Sequence, residues 1–131
     1  MKRVTGIGGI FIKSENPERL RAWYRDHLGF DLADWGGSVF HWNSPDAPNP
    51  GGATVWSIFE QSSKYFEPST APFMVNYRVD NLDEVLAALR EEGCDVDEKT
   101  EDSEMGKFGW VMDPDGNRVE LWQPPEHPSD A

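Results

Sequence analysis

The sequence predicts an α+β domain built from two β-α-β-β-β modules. Three observations carry this reading. Two amphipathic helix patterns each open on an Asn and close on a Gly, at Asn16 to Gly29 and Asn81 to Gly93. Each is preceded by an apolar strand pattern and followed by an apolar–Asp–apolar segment, Phe30–Asp31–Leu32 in one case and Cys94–Asp95–Val96 in the other. The chain then closes on a strongly signalled hairpin. A repeat near half the chain length indicates two modules in one fold, not a solenoid. The 131 residues suffice for one domain with a core. It is assigned to residues 1–123, with module one over about 4–60, module two over about 73–123 and a flexible tail at 124–131.

Taken in order, residues 6–13 form a strand in which Ile10 and Ile12 face one way and Gly9, Phe11 and Lys13 the other. Asn16 caps a helix and Pro17 occupies its first position, where no backbone donor is needed. Leu20, Trp23, Tyr24 and Leu28 follow at helical spacing and give it an apolar face. Gly29 ends it in the left-handed region. Residues 30–35 are expected as a short strand, and Gly36–Gly37 as a tight turn. Residues 38–42 make the next strand, 43–52 a loop rich in proline, 53–60 a fourth strand and 61–72 a polar connector. In the second half, residues 73–79 form a strand, and Asn81 with Glu84 fits a capping box. Leu82, Val85, Leu86 and Leu89 then build an apolar helix face. A short strand at 94–96 and a polar loop near 101–103 lead to the hairpin at 110–122. In its turn, Asp113–Pro114–Asp115–Gly116, Pro presets φ and Gly accepts a positive φ. On the return strand Arg118, Glu120 and Trp122 share one face, and Val119 and Leu121 share a buried one.

Twenty-four acidic against twelve basic residues give a formal net charge of −12. Such a surface repels nucleic acid and anionic lipid, so neither is expected as a partner. The single cysteine, Cys94, excludes an internal disulfide framework and a Cys-based zinc site, and is read as an inert buried thiol. This usage fits a reducing cytoplasm. No signal-peptide pattern and no apolar run long enough to cross a bilayer are present. Six tryptophans are costly to hide in a small core, which favours an aromatic-lined concavity.

The ordered motifs resemble the glyoxalase / bleomycin-resistance protein / ring-cleaving dioxygenase superfamily, the vicinal oxygen chelate fold. The matching pieces are Asn16–Pro17–Glu18–Arg19–Leu20 with Trp23–Tyr24 and His27–Leu28–Gly29–Phe30, then Val79–Asp80–Asn81–Leu82, and Phe108–Gly109–Trp110 through Asp113–Pro114–Asp115–Gly116–Asn117 to Glu120–Leu121–Trp122. The resemblance implies two modules paired into a U-shaped mixed sheet around a cavity, and a homodimer. It also implies a choice among lyases, dioxygenases, epimerases and metal-free binding proteins. Metal-dependent members hold a divalent cation with His, Gln or Glu on inward strand positions, leaving open sites for vicinal oxygens. Counted onto this chain, the last-strand position falls on Glu120. The first-strand position falls on Gly9, its counterpart in the second module on Met74, and the fourth-strand position on Trp56 or Ser57. One carboxylate does not hold a catalytic metal, and a shift of two residues reaches only Ile7, Phe11, Pro72 or Asn76.

Glu120 is the best candidate catalytic residue, and also reads as a pocket carboxylate for a polar or cationic group or as a salt-bridged structural residue. The candidate ligand-binding set is Phe11, His41, Trp42, Trp56, Met74, Asn76, Trp110, Glu120 and Trp122. Core and dimer interface consume aromatics equally well. His27 reads as a helix C-terminal cap, His127 as a solvated tail residue, and His41 as the one candidate pocket histidine. The leading expectation is a metal-free protein that binds a small organic molecule in an aromatic cavity. The alternatives are a lyase or dioxygenase using Zn, Ni, Mn or Fe at a non-standard site around Glu120 and His41, metal-free acid–base catalysis by Glu120, and an interaction subunit with a closed cavity.

Overall fold

A computed structural model describes residues 3–42 and 52–125. The expected 43–52 loop, apart from Gly52, and the tail from residue 126, including His127, lie outside the described residues. The elements run β1 (Val4–Ser14), α1 (Pro17–Leu28), β2 (Ser38–His41), β3 (Ala53–Glu60), β4 (Phe73–Val79), α2 (Leu82–Glu91), β5 (Asp95–Val96), β6 (Glu101–Ser103), β7 (Gly106–Met112) and β8 (Arg118–Gln123). The strands join in one mixed sheet ordered β2-β3-β1-β4-β8-β7-β5, with β6 paired to β7. Each half contributes one parallel pair, β1 with β3 and β4 with β8, and the halves meet along the antiparallel β1–β4 seam.

The helix ends form as their sequences require. Asn16 Oδ1 accepts from the Arg19 N–H at 3.1 Å and Asn81 Oδ1 from the Glu84 N–H at 3.1 Å, satisfying donors that a helix start leaves free. Gly29 adopts φ +70°, a region that suits glycine. The α2 face, through Leu82 and Leu86, packs on Val79 and Leu121 as the main apolar core. Gly109 lets the helix approach, since a Cβ there would lie 2.9 Å from Leu86 Cδ1.

The α1 face is only partly covered. Tyr24 packs on Phe30 and Trp56, but Trp23 and Leu28 are exposed. Three further expectations are corrected. Residues 30–35 form no strand: their alternation arises because the Phe30 ring is drawn inward between Tyr24, Phe40 and Trp56, while Ala33 and Gly37 close a turn at 2.8 Å. The polar segment at 101–103 is a short strand, held by backbone pairing to β7 rather than by side-chain burial. Cys94 is exposed, not buried. No helix among the described residues is long and apolar enough to cross a membrane.

Candidate functional site

Strand register sets three rows of side chains on the sheet face opposite the helices. Phe11 and Met74 are opposed in one row. Gly9, Asn76, Glu120 and Trp110 follow across β1, β4, β8 and β7 in the next. Gly6, Arg78, Trp122 and Phe108 make the third. Gly8 is an extra residue in β1, where the register shifts between Ile7 and Gly9. A side chain on Gly8 would collide with Asn76 Oδ1 and lie 2.9 Å from Trp122 Cε3, so the glycine leaves the room those two groups fill.

The middle row is closed over by its own chain. Glu120 is 1% exposed. Its Oε1 accepts from Asn76 Nδ2 at 2.6 Å, and its Oε2 accepts from Trp110 Nε1 at 2.9 Å and from the Tyr65 hydroxyl at 2.5 Å. These donors offset the cost of burying the charge. Tyr65 lies in the 61–72 connector beside Phe66, which is 0% exposed and packs with Met74, Trp110, Phe11 and Phe59. The connector is therefore a plug on this half of the face rather than a solvated link. Burial, and then the Glu120 charge and its hydrogen bond, push the Tyr65 phenol pKa upward. Neither Arg78 nor Arg118 pairs with Glu120: Arg118 donates to the Glu67 carbonyl, lies 3.6 Å from Asp97 and sits 4.8 Å over the Trp110 ring.

The third row is different. The Arg78 guanidinium carbon lies 5.2 Å from the Trp42 ring centre and 5.5 Å from that of Trp122. Trp42 donates through Nε1 to Thr54 Oγ1 at 3.0 Å, and Trp122 to the Met105 carbonyl at 2.8 Å, so both rings are pinned. Phe108 stacks on Trp122 with 6.0 Å between centres and 9° between planes. Trp42, Arg78, Phe108 and Trp122 all remain partly exposed. Burial lowers the Arg78 pKa, and the charge of nearby Asp80 opposes that shift.

The expected ligand set is thus divided. Phe11, Met74, Asn76, Trp110 and Glu120 come together in and around the plugged rows, and Trp42 and Trp122 frame Arg78. His41 is exposed on the outer strand β2. Trp56 is corrected: it lies on the opposite face, packed on Tyr24 and Phe30 under α1. Asn76, not Met74, stands opposite Gly9 and Glu120. The sequence reading passes over Tyr65 and Phe66, whose one signal is two adjacent aromatics in a polar connector.

A divalent metal does not fit these residues. In the Glu120 row β1 presents Gly9, with Gly8 beside it, and β4 presents Asn76, while β3 opposes Gly9 with Val55. The single carboxylate is already engaged by three donors, two on Oε2 and one on Oε1. Among the described residues no three His, Cys, Asp or Glu side chains converge.

The sequence profile of the Glyoxalase/Bleomycin resistance protein/Dioxygenase superfamily matches residues 6–121. Solved structures share the fold. Methylmalonyl-CoA epimerase from Mycobacterium tuberculosis is 21% identical, with TM-score 0.63 over 95% of this chain and 91% of that one. A Streptomyces coelicolor methylmalonyl-CoA epimerase in complex with 2-nitronate-propionyl-CoA is 16% identical, with TM-score 0.66 over 92% and 98%. A superfamily member from Vibrio splendidus 12B01 is 13% identical, with TM-score 0.59 over 89% and 97%. No curated protein matches the sequence.

Proposed function

The chain belongs to the Glyoxalase/Bleomycin resistance protein/Dioxygenase superfamily, and from that premise we propose that it binds a small organic molecule without a catalytic metal. The observation that carries this reading is the partly exposed aromatic group of Trp42, Trp122 and Phe108 at the end of the face that the plug leaves uncovered. Rigid aromatic walls around few polar groups suit a small organic ligand. Glu120 serves here as the buried hub that seats the plug. With 1% exposure and every donor supplied by its own chain, it meets no substrate in this arrangement, which disfavours acid–base catalysis. The reading includes a homodimer, because Ile7, Ile10 and Phe73 are exposed on the helix-bearing face, as are Trp23 and Leu28 of α1.

A thermal-shift screen of apolar and aromatic compounds, followed by tryptophan fluorescence, tests it. A ligand at a hundred times its Kd stabilises the fold by about 2.7 kcal/mol. The expected ligand raises the melting temperature and quenches tryptophan emission, and Trp122→Leu weakens it. Metal analysis of protein purified without chelator supplies the opposing outcome. Stoichiometric Zn, Ni, Mn or Fe that disappears in Glu120→Ala overturns the reading.

A further inference from the structure

The geometry points to a small planar organic carboxylate as the ligand class of the Arg78 end, with its anionic group on the guanidinium and its ring against Trp122 or Trp42. This inference rests on the binding reading above and gives it a charge sign. Considered alone, Glu120 favours a cationic ligand, but that carboxylate is spent on Tyr65, Trp110 and Asn76. Arg78 is the opposite case. Its Nε is buried with no hydrogen-bond partner, and among the described residues no carboxylate lies within ion-pair distance of it. Asp80 acts on it only through space. In a chain of net charge −12, a half-buried arginine without a carboxylate partner among the described residues is conspicuous.

The surroundings hold this cation ready. Trp42 and Trp122 lie against the guanidinium, each ring fixed by its own N–H, so the planar group is oriented before any ligand arrives. Gly6 and Gly52 admit the Trp42 ring, and a Cβ at Gly52 would also lie 2.8 Å from Arg78 Nη1. With Nε buried and the rings packed against the guanidinium, the Nη1 and Nη2 groups, which are not buried in the same way, remain as the binding element. That planar fork matches a carboxylate in two parallel hydrogen bonds, which a lysine ammonium does not reproduce. Partial desolvation strengthens such a bond.

The test compares benzoate, 2-naphthoate and indole-3-acetate with their amides, which keep size and ring and remove the charge. Affinities are read by tryptophan quenching and calorimetry at fixed ionic strength. The carboxylates are expected to bind about tenfold or more tightly than the matched amides. Arg78→Met is expected to bring that ratio near one while retaining amide binding, and Arg78→Lys to keep part of it. Since the ratio is taken within one protein, the wild-type comparison stands even if Arg78→Met does not fold. Equal affinity for acid and amide, or a ratio that Arg78→Met leaves unchanged, overturns this inference and leaves the binding reading in place. Failure of both series to bind overturns the binding reading with it.

Discussion

Glu120 and Asn76 decide what the buried carboxylate is worth. Glu120→Ala leaves the Tyr65, Trp110 and Asn76 donors without an acceptor, and is expected to cost about 3 kcal/mol or more in urea denaturation. Glu120→Gln is expected to cost less than about 1 kcal/mol, because an Asn76 amide turn brings the unpartnered Oδ1 towards the new NH2 group. A Gln variant as unstable as the Ala variant would show that the negative charge itself is required. Tyr65 carries a pH signature. Its phenol pKa is raised above the ordinary 10.0, so the folded protein keeps the proton while the unfolded chain releases it. The stability involved is complete below pH 10.0 and falls as the pH rises beyond it. Denaturation midpoints should therefore drop more steeply above that pH in the wild type than in Tyr65→Phe. Glu120 is legible in the sequence through strand parity. Its partners are not, since a hydrogen bond from a residue 55 positions away leaves no local pattern.

The elements with strong caps and regular alternation are readable from sequence alone: Asn16 and Asn81 start both helices, and β3 and β4 occupy the residues expected. The failures share a cause. Residues 30–35 alternate like a strand because an aromatic cluster draws in Phe30, whereas β6 is polar because backbone pairing alone holds it. The connector is the largest surprise, and Phe66 is its anchor. Phe66→Ala is expected to destabilise the protein by about 3–5 kcal/mol and to increase hydrogen exchange across residues 61–72. An effect under about 1 kcal/mol would mean that the plug contributes little to the fold. At the hairpin turn, Gly116 has φ +83°, so Gly116→Ala is expected to cost about 1–2 kcal/mol by the same assay.

At the scale of the molecule, the duplication seen in the sequence becomes the antiparallel β1–β4 seam between two parallel pairs. What the sequence withholds is which face stays open, because that depends on where a non-periodic segment folds back. The exposed Ile7, Ile10 and Phe73 lead us to expect a particle of twice 14.8 kDa by light scattering, and a monomer after Ile10→Glu. A wild-type monomer at micromolar concentration would remove the dimer from the reading.

The stretch that ties the two halves together is also the stretch that stoppers Glu120. Chain length between β3 and β4 thereby becomes a functional variable. An insertion there would slacken the tether and let the stopper lift without altering a single strand, and a deletion would pull Tyr65 out of reach of the carboxylate. Descendants of such a scaffold would gain or lose access to a buried acid through loop-length drift, at a cost in packing set by Phe66.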